Sequence, residues 1–377
     1  MNTFYQKILP QLAVACALVT GVQAAPPVME SLTEGQCPRI ADSLGRAGMA
    51  AVALNGAHGT PQLLMLGGAN FPHAKRSATG FFQTGSKVFY DSVEVFSPAL
   101  GASLPLGKLP YPVGYAAYAP TERGMLLAGG CNADGHLRDT LLLRCESGGV
   151  TITPQASLPI PLAYPAFAEL DGKLYVFGGQ ESPDATTALR RCFVWESGAW
   201  RELAPMPGEG RMLAAAGTVD GRIYVVGGCS LHPDAAGKAE RSYLNSVLVY
   251  DPNADTWTEA PAMPETLVAP ASPLPVWRGR LLVIGGDPGN YYRAKLAGQE
   301  PPQHPGQNRR VYAFDPADGT WTSLGDNCVG IATAPAVGVG NTVYTISGET
   351  RPAVRTPVIG TLRLSEPSTS TTIPPTR

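Results

Sequence analysis

The most regular feature of the chain is a short run of apolar residues that ends in a pair of glycines. The run occurs six times, beginning at Leu63, Met125, Leu174, Ile223, Leu281 and Val343. The glycine pairs lie 49 to 62 residues apart, and Ser347-Gly348 takes the place of the sixth pair. Continuous apolar runs bounded by Gly, Pro and Asp predict buried β-strands. Because residues 45–364 show no sustained helical periodicity, we expect an all-β protein.

A second apolar segment follows each run after a gap of variable length, as in residues 246–252 and 311–316. These two segments lead through an Asp-Pro turn to Trp257 and Trp321, each at the start of a further strand, and residues 192–200 are a shorter version. A four-stranded unit of about 50 residues cannot bury both faces alone, so such units stack. The period and signature resemble kelch repeats. They predict a six-bladed kelch β-propeller rather than a β-sandwich with coincidental glycine pairs.

The sixth repeat differs from the others at its end. It finishes at residues 361–364 without a tryptophan-containing outer strand. An extended segment at residues 28–32 precedes the inner strand of the first repeat. This segment is available to form the missing outer strand of the sixth repeat. Closing a ring in this way hides a sheet edge that would otherwise promote aggregation. We therefore predict that residues 25–364 form one propeller, closed by an N-terminal strand in the last blade.

The two ends of the chain differ from this pattern. Lys7, the apolar residues 8–22 and the small residues before Ala25 are typical of a signal peptide over residues 1–24. We therefore expect a periplasmic or secreted protein; a lipoprotein anchored through Cys16 is a weaker interpretation. Residues 365–377 are rich in Ser, Thr and Pro, which predicts a disordered tail.

Composition narrows the possible partners. Only 15% of the 377 residues are charged and the formal net charge is −2, so no basic surface for nucleic acid is expected, and no interior segment is long and apolar enough to span a membrane. Without the signal peptide six cysteines remain, and an even number permits disulfides in an oxidising compartment. Buried free thiols are the alternative, and 15 pairings are possible for Cys37, Cys131, Cys145, Cys192, Cys229 and Cys328.

Long connections are predicted on one face of the propeller. If strands a to d run from the axis outward and the glycine-pair run is strand b, the a-to-b connections are tight turns and most b-to-c connections are long. Long loops on a rigid scaffold commonly carry function, so we expect this face to hold the site. Four histidines fall in these loops, on different blades and without metal-ligand spacing, and are expected to be solvated: His73, His136, His232 and His304.

The b-to-c connection of the sixth repeat, residues 347–356, is short enough to form a hairpin. Opposed residues of an antiparallel pair have Cβ atoms about 5 Å apart, so Glu349 and Arg355 are expected to face the same small volume. A neighbouring guanidinium favours the ionised carboxylate, which is the form that accepts a proton. Arg355 also has the planar fork that binds a ligand carboxylate. A surface ion pair that caps a turn is the alternative.

The pattern G-E-x-x-P-x-x-R-T, which begins at Gly348, resembles the active-site hairpin of the N-acetylneuraminate epimerases, the kelch-type sialic acid mutarotases. The hairpin lies in the last repeat and the segment GGANFP, residues 67–72, in the first. This order resembles the cyclically permuted mutarotase group, over residues 28–364. The resemblance implies that Glu349 is the proton acceptor and Arg355 its partner. It also implies a substrate-binding role for Arg211. Asn70 is a further candidate for the pocket, with a turn role as the alternative.

Together these features predict an exported isomerase that interconverts the anomers of N-acetylneuraminate or a related acidic sugar. Glu349 and Arg355 would be catalytic, and Arg355, Arg211 and Asn70 would bind the substrate. General acid and base catalysis of ring opening needs no cofactor, and the sequence leaves open which group protonates the ring oxygen. A non-catalytic kelch module that binds glycan or protein is the alternative. A copper oxidase of the galactose oxidase type is disfavoured, because it needs two Tyr and two His around copper and a further domain.

Overall fold

The computed structural model describes residues 27–55, 61–77, 82–122, 124–146, 148–299 and 301–367. Six antiparallel four-stranded sheets follow one another around a central axis, each running from an inner strand at the axis to an outer strand at the rim. The predicted six-bladed, all-β architecture is confirmed. The predicted signal peptide and residues 368–377 of the predicted tail lie outside the described residues.

In each of the first three blades, the order of the strands along the chain is also their order from the axis outward. Blade 1 contains Ala47–Asn55, Pro61–Asn70, Ser92–Ser97 and Ala102–Lys108, and the short strand Val88–Phe89 pairs with the end of its second strand. Blade 2 contains Ala117–Thr121, Gly124–Ala128, Thr140–Glu146 and Gly149–Gln155. Blade 3 contains Ala166–Leu170, Lys173–Phe177, Cys192–Glu196 and Ala199–Leu203.

The second half of the ring is built in the same way. Blade 4 contains Ala215–Val219, Arg222–Val226, Val247–Asp251 and Thr256–Ala260. Blade 5 contains Val276–Trp277, Arg280–Ile284, Arg310–Asp315 and Thr320–Asp326. Blade 6 contains Ala336–Val339, Thr342–Ile346, Ile359–Ser365 and, as its outer strand, Val28–Ser31.

The outer strand of blade 6 comes from the N-terminal part of the described chain, as predicted. This closing strand, Val28–Ser31, pairs antiparallel with the last strand of the chain, with Val28 opposite Ser365 and Ser31 opposite Leu362. Ser365 is therefore part of the sheet, so the sequence-based start of the tail at this residue was one position too early. The closure joins the two ends of the propeller through backbone hydrogen bonds rather than through a peptide bond.

The glycine pairs allow neighbouring blades to approach closely. A Cβ atom added at Gly67 would lie 2.3 Å from the carbonyl oxygen of Val113, which belongs to the connection to the next blade. A Cβ atom added at Gly178 would likewise lie 2.2 Å from the carbonyl oxygen of Arg211. In blade 6 the first position of the pair is Ser347. Its Oγ accepts a hydrogen bond from the backbone N–H of Arg46 at 2.7 Å, so a hydroxyl makes the contact there.

Tryptophans of the outer strands tie blades 4 and 5 to the blades before them. The indole N–H of Trp257 in blade 4 donates to the carbonyl oxygen of Ala204, and that of Trp321 in blade 5 donates to Pro261, both at 3.0 Å. Both indoles are half-buried, and their N–H groups find partners in the preceding blade, so these bonds help to orient adjacent sheets while the rings add apolar contact.

Six backbone hydrogen bonds form a closed ring around the axis, which we call the axial ring. Its members lie at equivalent places before or at the start of the inner strands, have φ between 53° and 65°, and are Gly48, Tyr115, Tyr164, Leu213, Ala269 and Thr333. The N–H of each donates to the carbonyl of the member before it, and Gly48 closes the ring onto Thr333 at 2.8 Å. These bonds offset the cost of left-handed backbone in residues other than glycine.

The b-to-c connections lie on one face, and four of them contain a two-stranded hairpin. The hairpin strands are Lys75–Arg76 with Phe82–Thr84, Cys131–Asn132 with Gly135–His136, Cys229–Pro233 with Ala239–Tyr243, and Glu349–Arg351 with Val354–Arg355. The connection of blade 5 contains the helix Asn290–Leu296. Within the described residues no helix has the length and hydrophobicity needed to cross a membrane.

Candidate functional site

A cavity of about 710 Å³ opens at the axis on the face that carries the long connections. We call it the axial cavity. Its floor is formed by members of the axial ring, among them Tyr115, Tyr164 and Thr333, and its walls come from the b-to-c connections of blades 1, 3, 4, 5 and 6. The volume is within the range of sites that bind small molecules, which is about 300–1,000 Å³.

Glu349 and Arg355 meet in the wall of this cavity. Their two short strands pair antiparallel with Glu349 directly opposite Arg355. The Nη1 group of Arg355 donates to Oε2 of Glu349, and both residues line the axial cavity. The side chain of Arg355 is 3% exposed and that of Glu349 is 22% exposed. The structure thus brings the two residues together in a concave, mostly water-excluded position, which is unlike a surface ion pair.

Arg355 is held on several sides. Besides its bond to Glu349, its Nε donates to the carbonyl oxygen of Ala69 at 3.4 Å, and its guanidinium carbon lies 5.2 Å from the centre of the Phe71 ring. Both Ala69 and Phe71 belong to the GGANFP segment of blade 1. Two nitrogens of the guanidinium already donate hydrogen bonds within the protein. The guanidinium is therefore better suited to orient Glu349 than to bind a ligand carboxylate through two parallel hydrogen bonds.

Burial raises the pKa of Glu349, and the charges of Arg355 and Lys87 act in the opposite direction. The sequence-based expectation was that the guanidinium would dominate and hold this pKa low. The carboxylate lies deep enough that the loss of hydration is the larger effect. A carboxylate with a raised pKa is a stronger base, which favours proton transfer from a hydroxyl group.

Lys87 is a cavity residue that the sequence analysis missed. Its Nζ lies 4.9 Å from the ring centre of Tyr115, 5.8 Å from that of Phe71 and 5.7 Å from that of Phe89. Burial lowers the pKa of Lys87, with the Arg355 charge adding to the effect and Glu349 opposing it. In the sequence, Lys87 is a lysine between aromatic residues in a long connection. No repeat or motif around it indicates that its side chain faces the cavity.

The structure does not bring Arg211 to the axial cavity. Its Nη1 donates to the carbonyl oxygen of Gly227 at 3.1 Å and its Nη2 to Oγ of Ser246 at 3.1 Å. Arg46 makes the equivalent bonds in blade 1, to Gly67 and Ser92. Arg211 therefore braces the glycine pair of its blade, and the predicted substrate contact is corrected to a structural role. Burial lowers the pKa of Arg211 to about 10.

Asn70 also has a structural role. It is 1% exposed, its Nδ2 donates to the carbonyl oxygen of Gly45 at 3.1 Å, and its Oδ1 accepts from the Tyr90 hydroxyl at 2.8 Å. It does not line the axial cavity. Of the predicted site residues, then, Glu349 and Arg355 face the cavity, whereas Asn70 and Arg211 support the backbone around it.

Two of the four loop histidines are less solvated than expected, whereas His73 and His232 are exposed as predicted. His304 is 8% exposed, and His136 is half-buried with its Nδ1 3.0 Å from the carbonyl oxygen of Gln180. Burial lowers the pKa of both. Among the described residues, no three His, Cys, Asp or Glu side chains are grouped closely enough to hold a metal ion.

The charges around the axial cavity favour an anionic ligand. Four cationic and three carboxylate side chains line it: Lys87, Lys238, Arg241, Arg355, Asp184, Asp287 and Glu349. Glu349 and Arg355 largely neutralise each other, and Asp287 accepts a hydrogen bond from the Tyr243 hydroxyl at 2.9 Å. Lys87, Lys238 and Arg241 outnumber Asp184 and Asp287, so the walls of the cavity carry a formal excess of one positive charge.

The fold and the cavity together define a class, the six-bladed β-propeller with a polar site at its axial mouth. Two of the six repeats match the Kelch motif. The model of the Kelch motif family matches residues 161–207 and 210–264, which contain blades 3 and 4. The matched residues do not include the hairpin with Glu349.

Proteins similar to this chain also contain kelch repeats. The chain is 31% identical over 178 residues to Kelch repeat and BTB domain-containing protein 12 of Danio rerio, a match that covers 44% of this chain and 26% of the relative. It is 34% identical over 166 residues to Kelch-like protein 33 of Homo sapiens, covering 42% of this chain and 29% of the relative. The chain thus spans less than a third of the length of these relatives.

Proposed function

We propose that this protein is an exported sugar mutarotase that interconverts the anomers of N-acetylneuraminate or a related acidic sugar. The observation that carries the proposal is the Glu349–Arg355 pair, enclosed in a cavity of small-molecule size rather than exposed on a turn. The resemblance of the hairpin sequence to that of the N-acetylneuraminate epimerases supports the choice of reaction. The positive charge around the cavity supports an acidic substrate. Export is proposed from the sequence of residues 1–24.

Proton transfer at two oxygens accounts for the reaction. Glu349 accepts the proton of the anomeric hydroxyl group, the bond between the anomeric carbon and the ring oxygen breaks, and the ring oxygen takes up a proton. The open-chain carbonyl compound rotates about the adjacent carbon–carbon bond. Closure on the opposite face reverses both transfers, so that no proton or electron is consumed and no cofactor is needed.

Of the cavity residues, Lys87 has the acidity best suited to protonating the ring oxygen. Burial lowers its pKa, which makes its ammonium group a stronger acid than an ordinary lysine. The tyrosines on the cavity floor are less suitable, because burial raises the pKa of Tyr115 to about 12 and raises that of Tyr164 as well. Arg241 and Lys238 remain to attract the substrate carboxylate.

The proposal is tested by NMR of a single anomer of N-acetylneuraminate, dissolved freshly with and without the protein. General acid and base catalysis contributes about 10²- to 10⁴-fold, so equilibrium should be reached far sooner with the protein present. An uncharged hexose serves as the control substrate and should respond much less. An unchanged rate would exclude the mutarotase. If the sugar binds without a change in rate, the non-catalytic glycan-binding module is the better interpretation.

The pH dependence of the rate should be bell-shaped, because catalysis needs ionised Glu349 and protonated Lys87. The rate should rise with pH through the pKa of Glu349, which lies above 4.5, and fall through the pKa of Lys87, which lies below 10.5. The measurement is the protein-dependent rate between about pH 4 and pH 10. Lys87→Met should remove the alkaline limb and lower the rate at least about tenfold. An alkaline limb that persists in this variant would assign the acid to another group.

A further inference from the structure

Two buried cysteines lie in contact where the ring is closed. The Sγ atoms of Cys37 and Cys328 are 3.3 Å apart, and the residues are 291 positions apart in the chain. Cys37 follows the closing strand Val28–Ser31, and Cys328 lies in the connection from blade 5 to blade 6. This is the one sulfur–sulfur contact found in the described part of the chain, and it singles out one of the 15 pairings that the sequence allows.

We propose that Cys37 and Cys328 form a disulfide that fastens the closing strand to the ring. In this step both thiols lose their protons, a sulfur–sulfur bond forms, and two electrons pass to an oxidant of the disulfide class, which is reduced to two thiols. Exchange proceeds through a mixed disulfide between one cysteine and the oxidant. The structure contains the reduced form of the pair.

The surroundings of the two sulfurs favour a bond. The side chains are 6% and 5% exposed and pack against the apolar side chains of Val358, Leu32 and Val329. A thiol is a weak hydrogen-bond donor, so two thiols in such a pocket gain little from polar contacts. A disulfide of about 2.05 Å would bring the sulfurs only about 1.3 Å closer than they are.

Backbone hydrogen bonds hold both cysteines in place. The N–H of Cys37 donates to the carbonyl oxygen of Thr33 at 3.1 Å, and that of Cys328 donates to Oδ1 of Asn327 at 2.9 Å. Asn327 is itself fixed, because its Nδ2 donates to Oγ1 of Thr345 in blade 6 at 3.1 Å. The two sulfurs therefore meet because separate parts of the chain are already in position, and a bond between them adds little constraint to the folded state.

The bond would act where the ring is closed. The closing strand is held to blade 6 by a register of only four residue pairs, and no peptide bond joins it to its neighbour. A cross-link across so long a stretch of chain strongly restricts the unfolded state. Burial raises the pKa of Cys328, which makes the reactive thiolate scarce in the folded protein. We therefore expect the bond to form during folding and to resist reduction afterwards.

The bond is detected by refolding the full chain in a mixture of reduced and oxidised glutathione. The protein is then denatured in iodoacetamide, digested with trypsin and analysed by mass spectrometry. The expected product is a cross-linked peptide that contains Cys37 and Cys328. Folded protein in which both of these cysteines carry the alkyl group would overturn the proposal.

Thermal unfolding then tests whether the bond stabilises the ring. Without reductant, Cys37→Ser, Cys328→Ser and the double variant should each unfold about 5 °C below the wild type, with no added loss in the double variant. A strong reductant present during unfolding should bring the wild type close to the variants. Cys192→Ser is the control, because Cys192 is buried without a sulfur partner and its effect should not depend on reductant. A wild type that reductant leaves unchanged would contradict the stabilising role.

Discussion

Glu349→Gln should lower the protein-dependent rate of anomer interconversion by about 10²- to 10⁴-fold and leave the propeller folded. Glutamine has nearly the same shape as glutamate and retains an oxygen that accepts the hydrogen bond of Arg355. Its amide does not take up a proton near neutral pH, so the variant removes the base while preserving the contact. The measurement is the NMR rate at neutral pH, with thermal unfolding as the check on folding.

Glu202→Gln is a matched control for this experiment. Glu202 also pairs with an arginine, accepting from Nε and Nη2 of Arg191 at 2.7 Å each, but it lies in the outer strand of blade 3 with a side chain 49% exposed. The same chemical change far from the cavity should leave the rate at the wild-type value. A Glu349→Gln protein that is folded and fully active would remove Glu349 from the mechanism.

Substrate affinity separates the loss of a base from the loss of a binding site. If Glu349 acts mainly in proton transfer, Glu349→Gln should bind N-acetylneuraminate within a few-fold of the wild type, because positive charge at the cavity walls is unchanged. Calorimetric titration of the variant measures this affinity. A loss of binding as large as the loss of rate would show that Glu349 acts in the ground state, which is what a glycan-binding module needs.

The blades were predictable from sequence because each glycine pair reports a local requirement. At Gly67 and Gly178 a carbonyl oxygen from the connection to the next blade lies so close that a Cβ atom would not fit. The same need for glycine recurs at every blade junction but the last. Ser347 breaks the pattern because its hydroxyl group bonds the backbone of Arg46 there. The closing strand was predictable for a different reason, because the sixth repeat had no outer strand of its own.

The site was predictable only where it depends on neighbouring residues in one hairpin. Glu349 and Arg355 are six positions apart, so strand pairing alone places them opposite each other. Lys87 reaches the cavity through a long connection whose path depends on contacts with the rest of the ring. Arg211 and Asn70 occur at suitable positions in the chain, but their side chains turn toward backbone carbonyls rather than the cavity.

The electrostatic balance at Glu349 was not predictable either. Sequence identifies a guanidinium six residues away, and the sign of its effect on the carboxylate follows from Coulomb's law. The opposing effect depends on how completely the loops exclude water from the carboxylate. The degree to which water is excluded depends on the cavity walls that other blades contribute, and it decides whether the pKa of Glu349 is raised or lowered.

Arg355→Met should both slow the reaction and move its acid limb to higher pH. The Arg355 charge lowers the pKa of Glu349, so its removal raises this pKa further and leaves less of the carboxylate ionised at neutral pH. The orientation of the carboxylate is lost as well, and we expect a rate about 10²-fold below the wild type. A buried carboxylate without its partner also costs about 3–5 kcal/mol when ionised, and protonation reduces this cost. The pH–rate profile and the thermal midpoint measure these effects.

Two further arginine variants separate charge from position. Arg355→Lys keeps the positive charge but lacks the geometry that joins Glu349 and Ala69, so its acid limb should move less than that of Arg355→Met while its rate still falls. Arg211→Met removes an arginine that is also buried but lies outside the cavity. It should lower the thermal midpoint and leave the acid limb in place. An unshifted acid limb in Arg355→Met would mean that the ionisation which controls the rate does not belong to Glu349, and the base would have to be sought elsewhere in the cavity.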